Sequence, residues 1–294
     1  MSALVVTEEF LEQIELLQIL LKNNVAGMFG GTHKSKTFGS SSEFADFRDY
    51  IAGDDVSKID WNAFARFQKL YLKLYLDERQ VHTKIYIDVS RSMAYGNGKK
   101  HEMALKLAAA LAYVSICEMD RVSIYLIRDN VIEDVVVGMH DKETYLNNIG
   151  RLNDVVFDGE VAISDAILPS NVGYGDGMSI IISDFLTDND YEAAVDYLVR
   201  KKRDVLCVQV LSPDELNPKA RGKMHFYDSE APSKYYRKNI NKDILQAYKL
   251  ALEYVTEKVR VACQSRGVDY ALVSSDEKLS EIFFEKLTIA GVIK

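Results

Sequence analysis

The sequence is poor in the residues that build metal clusters and disulfide frameworks. Its 294 residues include only three cysteines and five histidines. Cys117, Cys207 and Cys263 lie far apart within apolar runs, without the spacing of a zinc cage or a disulfide scaffold. No two histidines have the spacing of metal ligands on one helix face. We therefore expect three core thiols in a reducing compartment, and a fold that needs neither zinc nor disulfides.

Long uncharged apolar runs are also absent. No stretch of about 20 uncharged apolar residues occurs, so we expect no membrane span. The first 24 residues are apolar but carry four glutamates and lack the basic start of a signal peptide. These features predict a cytoplasmic location.

The sequence has fewer basic than acidic residues. It contains 36 lysines and arginines and 44 aspartates and glutamates, which gives a net charge of −8. This balance argues against nucleic acid as a partner. Two basic segments run against the trend, residues 200–203 and the tyrosine-bearing residues 219–242. We interpret the first as a solvated helix end, whereas the second is either a surface loop or a contact surface.

Hydrophobic periodicity divides the first 80 residues into two parts. Apolar residues recur at helical spacing from Phe10 to Leu21, which predicts an amphipathic helix within residues 1–30. Residues 31–80 have a glycine and serine cluster at 39–42, and leucines at every second position from Leu70 to Leu76. That alternation is typical of a strand with one covered face. We interpret residues 31–80 as a small β-containing appendage.

From residue 81 onward, predicted strands alternate with predicted helices. Apolar runs such as residues 178–183 and 205–211 are typical of strands buried on both faces of a parallel sheet. Strands separated by helices predict an α/β fold with a doubly wound, mostly parallel, Rossmann-like sheet over residues 81–294. Residues 212–240 are expected to form an insertion. The strand order is not readable from the sequence.

Two predicted strands end in oxygen-bearing side chains. One continues as Asp88-Val89-Ser90-Arg91-Ser92, and the other ends in Ser183-Asp184. Ligands of doubly wound sheets bind beyond the carboxyl ends of the strands. A carboxylate and two hydroxyls on one turn suit a hard cation such as Mg²⁺, with waters held by the second aspartate. The structural alternative is a turn that ends the strand and caps a helix.

This constellation resembles the metal-ion-dependent adhesion site of von Willebrand factor type A domains. The resemblance implies that Mg²⁺ or Mn²⁺ is held by Asp88, Ser90, Ser92 and Asp184. In that family the metal accepts a carboxylate from a partner protein and does not act as a catalyst. The family also has a threonine in a later loop of this site. The corresponding position here is Val161, whose side chain cannot ligate a metal. Either the metal site has decayed, or a substitute ligand is provided by Asp158, Glu160 or Ser164.

A second pattern occupies residues 43–79. Its characteristic positions include Arg48, Asp54, Asp55, Asp60, Trp61 and Arg66. In this order they resemble the signature of domain-of-unknown-function family 58, and the resemblance covers roughly residues 30 to 210. It implies a von Willebrand type A-like core, no known enzyme activity and a frequent association with MoxR-type AAA+ ATPases. We interpret the charged positions as a partly buried ion network, and Trp61 as an anchor of the appendage on the core.

The predicted function is that of a non-enzymatic adaptor or assembly factor that binds a protein at the Asp88 turn. One alternative is a metal-dependent phosphohydrolase, but such enzymes need a second aspartate two residues after the first, where this chain has Ser90. Serine catalysis lacks the G-x-S-x-G elbow. The other alternative is a scaffold whose metal site has decayed.

Overall fold

The chain divides into two units, one made of residues 1–23 and 81–294 and the other of residues 24–80. The structure is a computed structural model. The residues that it describes are 4–25, 44–51, 53–75, 81–94, 99–175, 177–186, 191–219, 222–227 and 235–287. The glycine and serine cluster at 39–42, Leu76 and the final residues 288–294 lie outside these ranges.

The elements alternate as the sequence predicts from residue 81 onward. The strands are β1 (Phe44–Asp49), β2 (Tyr71–Tyr75), β3 (His82–Asp88), β4 (Arg121–Arg128), β5 (Val131–Met139), β6 (Met178–Ser183), β7 (Asp204–Leu211), β8 (Gly222–Tyr227), β9 (Tyr235–Ile240) and β10 (Asp269–Ser274). The helices are α1 (Glu8–Val25), α2 (Trp61–Phe67), α3 (Arg91–Ala94), α4 (Lys100–Cys117), α5 (Lys142–Asn148), α6 (Ile163–Ile167), α7 (Glu192–Arg200), α8 (Pro213–Leu216), α9 (Lys242–Gln264) and α10 (Leu279–Glu281).

Six strands of the larger unit form one sheet in the order β10-β7-β6-β3-β4-β5. All neighbours pair in parallel except β5, which pairs antiparallel with β4 across a turn at Asp129 and Asn130. Both turn residues have a positive φ, as a two-residue hairpin turn requires. The doubly wound, mostly parallel α/β sheet is therefore confirmed, and β3 and β6 lie side by side at its centre.

Helix α4 packs on the sheet through small residues. Five of its alanines are fully buried, which lets the helix backbone approach β3 and β4 closely. Helix α1 belongs to the same unit and buries the face formed by Phe10, Ile14, Leu17 and Leu21. The side chain of Asn153 accepts hydrogen bonds from the backbone N–H groups just before α1, at Val5 and Val6. This face of α1 is therefore part of the core.

Within residues 219–242, the described strands β8 and β9 form the two arms of a basic hairpin that comes after β7 in the chain. Strands β8 and β9 pair antiparallel from Gly222 to Tyr227, and Lys223, Arg237 and Lys238 are exposed on them. The described residues of β8 and β9 are therefore a basic, largely exposed strand pair. That residues 212–240 form an insertion stays a prediction. The role of the strand pair as a contact surface also stays a prediction.

The appendage contains β1 and β2 as an antiparallel pair, with the predicted alternation burying Leu72. It also contains α2, which the sequence did not predict. Asp60 starts this helix, because its carboxylate accepts hydrogen bonds from the N–H groups of Asn62 (2.9 Å) and Ala63 (3.1 Å). The short helix has no long apolar period, and the cap rather than the hydrophobic pattern defines it.

The charged signature positions form local turns and caps rather than the expected partly buried network. Arg48 pairs with Asp54 at 2.9 Å in an exposed position. Asp55 accepts hydrogen bonds from the backbone and hydroxyl of Ser57. Arg66 lies in the last turn of α2. Trp61 is 61% exposed, and its anchoring role stays a prediction.

The basic run 200–203 contains one residue that is not solvated. Arg203 is only 7% exposed, and its guanidinium donates hydrogen bonds to the carbonyls of His82 and Met178 and to the hydroxyl of Ser179. It thereby joins the amino ends of β3 and β6. A Cβ at Gly177 would collide with this guanidinium and lie 2.8 Å from the His82 carbonyl, so the position requires glycine.

His82 makes the stability of this edge sensitive to acid. Burial, with Lys84, Arg203 and Arg121 nearby, lowers its pKa from 6.5 to about 4. The folded state then binds fewer protons than the unfolded state between these values, so stability is lost as the pH falls from 6.5 toward 4. At pH 5 we expect a loss of roughly 1 kcal/mol, after halving the full linkage value because the ring is half-buried.

Urea denaturation at pH 7 and pH 5 tests this prediction. His82→Gln keeps an amide for the hydroxyl of Ser123, which lies 2.9 Å from His82 Nε2, but does not titrate. The wild type should lose more stability than this variant between the two pH values. Equal losses would show that His82 is not the group responsible.

Candidate functional site

The site is built on the turn that follows β3. The carboxylate of Asp88 is 3% exposed, and it accepts a hydrogen bond from the N–H of Ser90 at 2.9 Å. The second oxygen of Asp88 accepts a hydrogen bond from the hydroxyl of Ser183 at 2.6 Å. The hydroxyls of Ser90 and Ser92 lie 2.9 Å apart and are hydrogen-bonded to each other. The ends of β3 and β6 are thus joined through buried polar side chains.

A buried lysine occupies the neighbouring position. Lys100, the first residue of α4, is 1% exposed, and its ammonium group lies 2.9 Å from Asp184 Oδ2. The same ammonium lies 2.7 Å from Glu215 Oε1 in α8. Glu215 is held in turn by Ser212, whose N–H and hydroxyl both donate to its other oxygen. The three ionised groups form one cluster at the carboxyl edge of the sheet.

The electrostatics of this edge follow from its burial. Burial raises the pKa of Asp88 to about 6, with the charge of Asp184 adding to the rise and hydrogen bonds from Ser183 and Ser90 opposing it. Burial alone would lower the pKa of Lys100, but the carboxylates of Asp184 and Glu215 outweigh it and raise that pKa. Lys100 therefore stays charged at neutral pH.

The turn after β6 is fixed by its own hydrogen bonds. Phe185 has a φ of 50°, and its N–H donates to the hydroxyl of Ser183 at 3.0 Å. The amide of Gln209 donates to the carbonyl of Asp184 at 2.7 Å, and Tyr270 supports Gln209 from β10. These bonds orient Asp184 toward Lys100 without contributing a ligand.

The loop around Val161 corresponds to the loop that carries the threonine in von Willebrand factor type A domains, but its residues differ. Val161 is buried in an apolar cluster. Asp158 pairs with Arg91 at 2.6 Å on the surface, and the hydroxyl of Ser164 accepts the N–H of Ala194 at 3.0 Å. Glu160 is exposed. Two of the three suggested substitute ligands therefore have other partners.

These residues do not fit a divalent cation. Mg²⁺ needs about six oxygen ligands, yet both oxygens of Asp88 are engaged and Asp184 faces an ammonium group. The threonine position offers no oxygen, because it is Val161. Within the described ranges, no three His, Cys, Asp or Glu side chains are grouped so that they could hold a metal. The geometry favours the alternative of a decayed metal site, and Mg²⁺ or Mn²⁺ binding stays a prediction.

Sequence reasoning missed Lys100 and Glu215. Glu215 had a readable signal, since Ser212 and Glu215 have the spacing of a capping box directly after a buried strand. Lys100 had none, because a lysine in the first turn of a helix is usually solvated. Only the packing of α4 against the sheet carries its side chain inward.

Comparisons with known proteins find similarities in sequence and in fold. The uncharacterized protein Rv1480 of Mycobacterium tuberculosis is 25% identical over 226 residues, which cover 74% of this chain and 70% of that protein. A solved aerotolerance-related membrane protein from Bacteroides fragilis is 16% identical, with a TM-score of 0.39, over 72% of this chain and 96% of that one. The SpRpn10 VWA domain is 10% identical, with a TM-score of 0.40, over 69% and 92% of the two chains.

Among the described helices of this chain, none is long and apolar enough to cross a membrane. The model of one family, described as Protein of unknown function DUF58, matches residues 46–254. That span includes the signature positions from Arg48 to Arg66, the Asp88 turn, Lys100 and Glu215. Because the match covers more than two thirds of the sequence, this chain belongs to the DUF58 family.

Proposed function

We propose that this protein is a non-catalytic adaptor or assembly factor whose protein partner docks on the carboxyl edge of the sheet, around the Asp88 turn. The observation that carries the proposal is the convergence of three chain segments on one buried polar cluster. Asp88 ends β3, Asp184 follows β6, and Glu215 lies in α8, before the basic hairpin. Such a cluster fixes the surrounding surface, which suits a rigid docking platform.

The chemistry of the edge argues against the phosphohydrolase alternative. A nucleophilic aspartate must reach the substrate, but both oxygens of Asp88 are buried and hydrogen-bonded within the protein. The position of the second acid is Ser90, whose hydroxyl bonds to Ser92. His101, which lies in the first turn of α4, packs its ring against Phe157. These contacts leave the edge suited to binding rather than to proton transfer.

The partner that we propose is a MoxR-type AAA+ ATPase or one of its client proteins, as the family resemblance implies. A cytoplasmic location is part of the same proposal. The exposed ion pair of Arg91 with Asp158 spans the Asp88 turn and the 156–162 loop, so it offers charged groups to a partner at the edge. The main-chain N–H of Arg91 also donates to the carbonyl of Gly159.

Arg91→Glu is expected to weaken binding to the MoxR-type ATPase of the same organism by about tenfold or more, because it reverses a charge at the docking edge. Calorimetry with the two purified proteins measures this effect. The matched control is Arg260→Glu, since Arg260 is also exposed and ion-paired, but lies near the end of α9 that leads to the opposite edge of the sheet. Undetectable binding by the wild type, or equal losses in both variants, would contradict the proposal.

A further inference from the structure

We infer that Lys100 is the built-in cation of this site: its ammonium group, and not a divalent metal, supplies the positive charge beside Asp184 and Glu215. The inference concerns the charge inside the cluster, so it stands whether or not the proposed partner binds. It rests on three features of the structure, which are the position of the ammonium group, the rigidity of its partners and the missing threonine.

The first feature is where the ammonium group lies. Its nitrogen is 2.9 Å from Asp184 and 2.7 Å from Glu215, at the carboxyl edge where doubly wound sheets bind ligands. With 1% of its surface exposed, Lys100 is shielded from water, and two of its three protons are directed at carboxylates. A cation bound to the same Asp184 oxygen at about 2.1 Å would come within about 5 Å of the ammonium group, where like charges repel strongly.

The second feature is that the lysine has no freedom to withdraw. Its backbone is the first turn of α4, whose following residues are buried against the sheet. Glu215 is fixed by the capping box with Ser212 at the start of α8. Moving the ammonium group away would therefore leave one buried and one half-buried carboxylate without a counterion, which is unfavourable.

The third feature is the replacement of a ligand oxygen by a methyl group. Val161 lies in the apolar cluster formed by residues such as Ile163 and Phe185. A metal at this edge would lose an oxygen ligand there and meet a positive charge at Lys100. The internal ammonium group makes the metal unnecessary, because Asp184 is already neutralised. It follows that the Asp88 turn keeps its conformation in the presence of a chelator.

Manganese titration of the chelator-treated, full-length chain tests this inference. Electron paramagnetic resonance reports free Mn²⁺ directly. We expect the wild type to leave the free Mn²⁺ signal unchanged. The control Lys99→Met should do the same, because Lys99 is exposed and pairs with Glu102, outside the Asp184 cluster. We expect Lys100→Met to bind one Mn²⁺, because its carboxylates lack their counterion, and the additional change Asp184→Asn to abolish that binding.

Stoichiometric Mn²⁺ binding by the wild type that disappears in Asp184→Asn would overturn the inference. So would a folded Lys100→Met chain that gains no Mn²⁺ affinity. If Lys100→Met fails to fold, amine-specific labelling of the wild type decides the matter. Lys100 should stay unlabelled with and without Mn²⁺ while Lys99 is labelled, whereas labelling of Lys100 induced by Mn²⁺ would show that the metal displaces it.

Discussion

Replacing Lys100 by methionine is expected to lower the free energy of unfolding by about 3–5 kcal/mol, the usual cost of removing one partner from a buried ion pair. Methionine keeps most of the apolar stem, so the loss comes from charge rather than from packing. Asp184 would be left as a buried carboxylate without its ammonium partner, and Glu215 would lose the same partner. Urea denaturation at pH 7 measures the change directly.

Lys99→Met is the matched control. Lys99 precedes Lys100 directly, but it is 67% exposed and pairs with Glu102 at 3.5 Å. We expect a change below about 0.5 kcal/mol for this variant. The double variant Lys100→Met, Asp184→Asn should recover part of the loss, because it removes the unpaired charge. Equal effects of Lys100→Met and Lys99→Met would show that the cluster does not stabilise the fold.

Arg203→Met should destabilise the protein by about 2–4 kcal/mol, because it leaves several buried acceptors without their donor. The guanidinium of Arg203 donates hydrogen bonds to the carbonyls of His82 and Met178 and to the hydroxyl of Ser179. It therefore joins the amino ends of β3 and β6. Thermal and urea unfolding of the variant provide the measurement. The loss should be present at all pH values near neutrality, because arginine does not titrate there.

Arg200→Met provides the control for this prediction. Arg200 lies three residues earlier, in the last turn of α7, and is exposed. We expect its substitution to change stability by less than about 0.5 kcal/mol. A comparable loss in both variants would mean that the basic run acts through its overall charge, and that the buried bonds of Arg203 contribute little.

Much of the sheet could be predicted from the sequence, because its signals are local. The run of three isoleucines in β6 has no polar face, so it identifies a strand buried on both sides. The Asp129-Asn130 turn has residues that tolerate a positive φ, which predicts the hairpin between β4 and β5. Helix α2 was missed because a single cap at Asp60, rather than an apolar period, defines it.

The burial of the polar residues at the two ends of the strands was harder to predict from the sequence. Arg203 was assigned to a solvated helix end because it belongs to a run of four basic residues, yet of these four it alone is buried. The burial depends on β3 and β6 being adjacent, which brings two strand ends within reach of one guanidinium. Since strand order is not written in the local pattern, such a contact cannot be read from the residues themselves.

The sequence by itself determined the class of fold, the family and the residues at the end of β3, because these depend on periodicity and on a motif of consecutive residues. Only the tertiary structure decided what faces Asp184. The ammonium group of Lys100, in α4, contacts Asp184 across 84 positions of sequence and Glu215, in α8, across 115 positions. Their meeting follows from the order of β3, β6 and β7 in the sheet, which long-range packing sets.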